Sequence, residues 1–363
     1  MKRRRLVSAA AGWAVAAPAA QAAAGPPAVH AGGPIHLRLA TAWPSNAAGA
    51  ADMVLRFAQR VKALSGGQVQ IEVLPADKSG VAPLALLDAV AKGEVDMAHA
   101  TAYYWTQRSA GFNFFATVPM GMTANEHYAW LRFGGGLALW QQLAAQHGVV
   151  ALPCGNTGVQ MAGWFRRQLT GLESLKGLKL RFPGLGGEVL RKMGAVPVLL
   201  PAGEIKQALR DGRLDGAEWI TPWPDLALGL HEVCDHYYYP GIHEPGHTLE
   251  LLVHPPLWHK LGAAHQEILR TAGWLECIEM QAHFSHENAA HLAALQKLKN
   301  VQVLRLPNEV MREFRRLTPG VLREATASDA LARQIHDSYT TYLRQQLRWA
   351  EMADRAYWQA RYI

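Results

Sequence analysis

Two carboxylates and one guanidinium stand where a chain prepares a binding site. Arg181 ends the run Leu178-Lys179-Leu180-Arg181, and Pro183-Gly184-Leu185-Gly186-Gly187 then opens a helix. Free amides at a helix start and the flat fork of an Arg both match a carboxylate, so this is a place for a small organic anion. The plainer alternative is a surface Arg in a tight strand-to-helix turn. Glu218 lies between Ala217 and Trp219 at an expected strand end, and a lone carboxylate among apolar neighbours demands a cation or an Arg. Glu244 follows a second strand, Tyr237-Tyr238-Tyr239, in a Pro-Gly loop. Converging on one cleft, these three groups would suit an oxygen-coordinated hard cation together with an organic acid.

Other chemistries read poorly. His243-Glu244-Pro245-Gly246-His247 has the letters of a zinc-peptidase motif, but that motif needs both histidines on one helical face. Pro245 and Gly246 exclude a helix interior. His231, His236, His254 and His259 surround it without helical pair spacing, so the group reads as scattered surface and loop histidines. The glycines after Phe182 do not complete a dinucleotide fingerprint, because Val189 stands where its last glycine belongs. No nucleophile elbow or catalytic triad order stands out. Cys154, Cys234 and Cys277 are too few and too far apart for a disulfide framework, and their oxidation state is left open.

The elements that must position these groups follow α/β grammar. Ile35–Ala40 alternates as a strand, Asn46–Leu64 is an amphipathic helix, Gly66-Gly67 ends it, and Val69–Leu74 is a second strand. A helix ending at Lys92-Gly93 leads into a strand at 95–100. The unit recurs: Ala89–Ala98 aligns with Ala208–Ala217, each a helix end, a glycine, an apolar residue and an Asp entering a strand. Two like lobes with ligands beyond their strand ends make a cleft. From Ser328 onward, apolar residues recur at helical spacing without Gly or Pro, which predicts a helix of ~30 residues, near 45 Å.

Of 363 residues half are hydrophobic and 18% charged, which suits two packed lobes and excludes whole-chain disorder. The net charge of +7 is mostly local: Lys2, Arg3, Arg4 and Arg5 supply four charges, and residues 1–24 contain no acid. The basic start, the Ala-rich stretch Leu6–Ala20 and Ala20-Gln21-Ala22 form an export signal, by the general or the twin-arginine route. Beyond it 32 basic residues face 29 acidic ones, no footprint for nucleic acid.

Taken together, the leader, Leu175–Pro183 and the helix-glycine-strand unit through Asp215 resemble the extracytoplasmic solute receptors (DctP type) of TRAP transporters. Gly155–Gln160, Gly203–Trp219 and Tyr237–Gly246 are similar to the subgroup that binds 2-oxo acids and lactate. The resemblance implies a non-enzymatic, periplasmic, two-lobed α/β binding protein of the Venus-flytrap kind, with mixed sheets, hinge strands and a long C-terminal helix. It implies a signal peptide at 1–24, a linker at 25–34, lobe I over 34–155 plus 248–290, lobe II over 156–247 plus 291–327, and a dimerising helix over 328–363. Arg181 would clamp the ligand carboxylate. Gln160, Glu218, the Trp219 carbonyl and Glu244 would hold Na⁺ or Ca²⁺ against the ligand, with Tyr103, Tyr104 and Asn156 contacting it from the first lobe. Its partners would be a small monocarboxylate, a membrane permease and a second copy of the chain. The rival expectation is an exported metal-dependent hydrolase or oxo-acid lyase.

Overall fold

The strands sort into two mixed sheets, and the chain passes between them more than once. The computed structural model describes residues 33–363; the expected leader, and all but the end of the linker, lie outside them. In chain order the strands are β1 (Ile35–Thr41), β2 (Val69–Leu74), β3 (Met97–Ala100), β4 (Val150–Asn156), β5 (Gly163–Phe165), β6 (Lys179–Arg181), β7 (Val196–Val198), β8 (Gly216–Ala217), β9 (His236–Tyr239), β10 (Thr248–Val253) and β11 (Gln302–Arg305). One sheet runs β2-β1-β3-β10-β4, the other β11-β9-β5-β8-β6-β7. Parallel pairs join β1 to β2 and β3, and β6 to β7 and β8. The grammar of the first lobe suggests a largely parallel sheet, but β10 runs antiparallel to both β3 and β4. In the second sheet β5 is antiparallel to β8 and β9.

The repeat seen in the sequence has a shared physical role. Gly93 and Gly212 both adopt left-handed backbone, φ 74° and 72°, to turn out of a helix. The Asp that follows each then ties down the neighbouring strand. Asp96 Oδ2 accepts the Arg38 amide at 2.7 Å, and Asp215 Oδ2 accepts the Lys179 amide at 2.9 Å.

The helices depart from expectation in two places. The longest is Pro255–Leu295, kinked at Gly262, so the expected lobe boundary at 290/291 falls inside a helix. Its Glu276 carboxylate, fully buried, is neutralised by Arg56 at 2.7 Å and by Arg60, both on the helix Ala50–Leu64. At the C-terminus the helix runs Ala330–Met352, capped by Asp329 through the Leu331 and Ala332 amides. It breaks at Ala353 (φ −102°, ψ −93°) before a short helix Asp354–Arg361, and neither glycine nor proline marks the break. Leu331, Ile335 and Tyr339 bury its inner face, where the Tyr339 hydroxyl accepts the Met122 amide at 2.7 Å. Among the described residues no helix is long and apolar enough to cross a membrane.

Glu250 in the middle of β10 is fully buried. Its Oε1 accepts the Trp105 indole N–H at 2.5 Å, and its Oε2 has no partner among the described residues. Burial pushes its carboxyl up to about 8, against 4.5 ordinarily. The unfolded chain therefore releases this proton at lower pH than the folded one, so the group subtracts stability as pH rises from about 4.5 to 8. Glu250→Gln keeps the indole contact and should be more stable than the parent at pH 8. It should also flatten a slope of up to about 1.4 kcal/mol per pH unit. Urea unfolding across that range reads both; an unchanged slope would mean the carboxyl is ionised in the fold.

Candidate functional site

Arg181 and Glu218 are neighbours because β6 and β8 are parallel with Arg181 opposite Ala217, so the next residue emerges beside the guanidinium. The Glu218 amide donates to the Arg181 carbonyl at 3.0 Å. Arg181 Nη1 then donates to the Glu218 carbonyl at 2.7 Å and to Glu218 Oε2 at 2.8 Å, while Nε reaches the Leu200 carbonyl at 3.2 Å. The guanidinium lies over the Trp219 ring, 5.3 Å from its centre. Both side chains are out of solvent, 0% and 1% exposed.

The rest of the site sits on two segments by which the chain crosses between sheets, 157–162 after β4 and 240–247 after β9. They are laced together by backbone: the Gly241 amide donates to the Gln160 carbonyl at 2.9 Å, the Gln160 amide to the Glu244 carbonyl at 3.1 Å, and the Thr157 amide to the His247 carbonyl at 3.1 Å. Gly241 is required for this closeness, since a Cβ there would lie 2.3 Å from the Gln160 carbonyl oxygen. The lacing sets Gln160, His243, Glu244 and His247, all buried, near the Arg181–Glu218 pair. His247 Nε2 lies 2.7 Å from the Thr101 hydroxyl, its ring stacks on Tyr103 at 5.0 Å, and its Nδ1 is 2.9 Å from Glu244 Oε2.

Burial, and then repulsion by Glu244, push the Glu218 carboxyl above its usual range against the pull of Arg181. Burial works on Glu244 the same way, but His247, His243 and Arg181 together hold its carboxyl below that range. Five polar atoms here are buried without hydrogen-bond partners among the described residues: Gln160 Oε1, Arg181 Nη2, Glu218 Oε1, and His243 Nδ1 and Nε2, while Glu244 Oε2 has its contact with His247. Leaving such atoms unmet costs about 1–3 kcal/mol each. Ligating atoms of Glu218, His243 and Glu244 lie within 4.8 Å of one another. Carboxylate and amide oxygens so gathered fit a hard cation, and a guanidinium N–H left over fits a carboxylate.

Tyr103 and Tyr104 are buried after β3, and burial first, then the nearby Glu218 and Glu244, push both hydroxyls up. Asn156 is engaged within the protein: its amide donates to the Thr248 hydroxyl at 2.9 Å and its carbonyl accepts the Gly158 amide at 2.8 Å. It pins the start of one crossing to β10. The scattered surface-and-loop reading of the histidines fails for His243 and His247, which are buried in the site. The residues between them form no helix, so the zinc-peptidase geometry is absent there. Sequence reasoning also passed over Asp225, which accepts from Trp164 Nε1 (3.0 Å), the Tyr237 hydroxyl (2.8 Å) and the Ile220 amide (2.9 Å). That network braces the turn carrying Glu218 and Trp219. The signal was present in the Trp-Pro-Asp step, but its partners are distant in the chain.

Comparison with known proteins agrees along nearly the whole chain. The family model described as bacterial extracellular solute-binding protein, family 7, matches residues 39–329. A monocarboxylate 2-oxoacid-binding periplasmic protein of Nostoc sp. is 34% identical over 359 residues, 98% of each chain. Among solved structures, a TRAP periplasmic solute binding protein of Pseudoalteromonas atlantica T6c with bound sodium and pyruvate is 38% identical. It covers 90% of this chain and 99% of its own, with a TM-score of 0.86. Another from Colwellia psychrerythraea, with bound calcium and pyruvate, is 35% identical with the same coverage and TM-score.

Gly241→Ala should drive the two crossing segments apart and lower stability by about 1–3 kcal/mol, the usual cost of overpacking. Denaturant unfolding checks it. A change within about 0.5 kcal/mol would show that the lacing yields freely.

Proposed function

The chain belongs to the bacterial extracellular solute-binding proteins of family 7, and on that premise we propose that it is the periplasmic receptor of a TRAP transporter for pyruvate-type 2-oxo monocarboxylates. It binds and delivers its acid without turning it over; the family is one of transport receptors, and the rival hydrolase or lyase gives way to it. Sodium or calcium accompanies the acid, as pyruvate is accompanied in the two relatives. The observation that carries the reading is the set of unpartnered buried atoms, four acceptor or ligating atoms and one guanidinium nitrogen, beside the Glu244 carboxylate.

In this reading Arg181 holds the acid's carboxylate with Nη2, while Nη1 stays committed to Glu218. Gln160 Oε1, Glu218 Oε1, Glu244 Oε2 and the Trp219 carbonyl hold the ion. An ion held there would neutralise the two facing carboxylates and attract the carboxylate and 2-oxo oxygens of the acid. A 2-hydroxy acid offers the same pair of oxygens and is the next ligand in order. Tyr103 and Tyr104 close the site from the side of the first sheet, and Asn156 acts on the crossing rather than on the ligand. The segments 157–162 and 240–247 serve as the hinge, so that the two lobes shut on the acid and deliver it to the permease when they part. The second copy of the chain docks on the C-terminal helices, whose Leu347, Trp349, Met352, Tyr357 and Trp358 are exposed.

Arg181→Ala should abolish pyruvate-induced thermal stabilisation while the ion still raises the melting temperature. Pyruvate binding at parental affinity in that variant would overturn the assignment. Glu218→Gln should weaken ion and acid binding together, each by tenfold or more, corresponding to about 1.4 kcal/mol. Acid binding lost with ion affinity intact would contradict the bridge; titration calorimetry separates the two cases.

A further inference from the structure

A hollow of about 340 Å³ lies against β4, the outermost strand of the first sheet, and shares no residue with the cleft. Leu152 and Pro153 of β4 line it together with side chains of the helices Ala124–Phe133, Gly136–Gln146 and Pro255–Leu295. Its aromatic walls are held in place from within the protein. Tyr128 meets the Trp274 ring edge-on, centres 6.0 Å apart, and its own hydroxyl donates to the Cys277 carbonyl at 2.9 Å. The Gln266 side-chain amide donates to the Trp258 carbonyl at 2.8 Å. A guanidinium lies over each indole, Arg132 5.4 Å from the centre of Trp274 and Arg270 4.9 Å from that of Trp258.

The polar groups around this hollow favour one sign of charge. No Asp or Glu lines it among the described residues. Arg270 is partly neutralised by Glu267 at 3.3 Å, but Arg132 has no hydrogen bond or ion pair among the described residues, and neither indole N–H has an acceptor there. A free guanidinium beside a fixed aromatic face matches an anion with a flat apolar body: the fork takes the carboxylate and the Trp face takes the ring. The volume falls within the range of small-molecule pockets, about 300–1,000 Å³, and pyruvate has no ring with which to use such walls. We infer that this hollow is a second ligand site, separate from the cleft, which takes an aromatic monocarboxylate through Arg132 and Trp274. With no carboxylate in its lining, the site needs no metal ion, and it does not depend on the receptor reading above.

The test is calorimetric titration of the full chain with 3-phenylpropionate, which lacks a 2-oxo oxygen, and with its neutral amide, 3-phenylpropionamide. The acid should bind with a Kd below about 1 mM and the amide at least about tenfold more weakly. Saturating pyruvate and calcium should leave the acid's Kd unchanged. Arg132→Gln and Trp274→Leu should each weaken the acid at least about tenfold. Arg132 is exposed, so its variant decides the matter should the Trp274 variant fail to fold. Parental affinity in Arg132→Gln overturns the inference, as do an amide that binds as well as the acid, displacement of the acid by pyruvate, or no binding to the parent. An affinity that falls as the protein is concentrated would place a second copy of the chain in the hollow and overturn it as well.

Discussion

Two carboxylates confined together away from water cannot both stay charged without a compensating positive charge, and the site is organised around that constraint. Glu218 and Glu244 are each about 2% exposed or less. Arg181 neutralises one of them and keeps a guanidinium nitrogen in hand. The remaining negative charge asks for a cation, and a cation between two carboxylates is in turn a handle for a chelating acid anion. A hydrophobic pair in the same places would pack more simply and could bind nothing of the kind.

The fold holds that charge cluster still where the chain crosses between its two sheets. Arg181 and Glu218 are locked by the parallel register of β6 and β8. Gln160 and Glu244 sit instead on the segments that run between sheets, so the same backbone bonds that lace the crossings also set these two side chains. Asp225, its carboxyl pushed up to about 7 mainly by burial, anchors the intervening turn through Trp164 and Tyr237, whose rings stack at 4.1 Å. The helix Pro255–Leu295 is tied to the helix Ala50–Leu64 by the Glu276–Arg56 pair and to the segment after Glu218 by Asn288, which accepts the Trp223 amide at 3.1 Å.

Much of this was legible in the chain. Arg181 at a strand end, Glu218 between apolar neighbours and the glycine-Asp repeat at 93–96 and 212–215 each carry a local signature, and the structure gives each a defined place. What was missed depends on contacts remote in sequence. The burial of His243 and His247 follows from lacing between 157–162 and 240–247, and periodicity says nothing about that. The antiparallel entry of β10 into the first sheet follows from the return of the chain, and the helix Pro255–Leu295 hides its continuity behind Gly262. The bonds that tie Asn156 to Thr248 and Gly158 are likewise invisible in the local sequence.

The most direct test of the central claim is a crystal structure of the pyruvate complex grown in calcium, read in the calcium anomalous signal. A single peak about 2.3–2.6 Å from oxygens of Gln160, Glu218 and Glu244, with the pyruvate carboxylate on Arg181, is the result this account requires. Pyruvate bound with no peak between the two glutamates, or a peak elsewhere in the molecule, would contradict it.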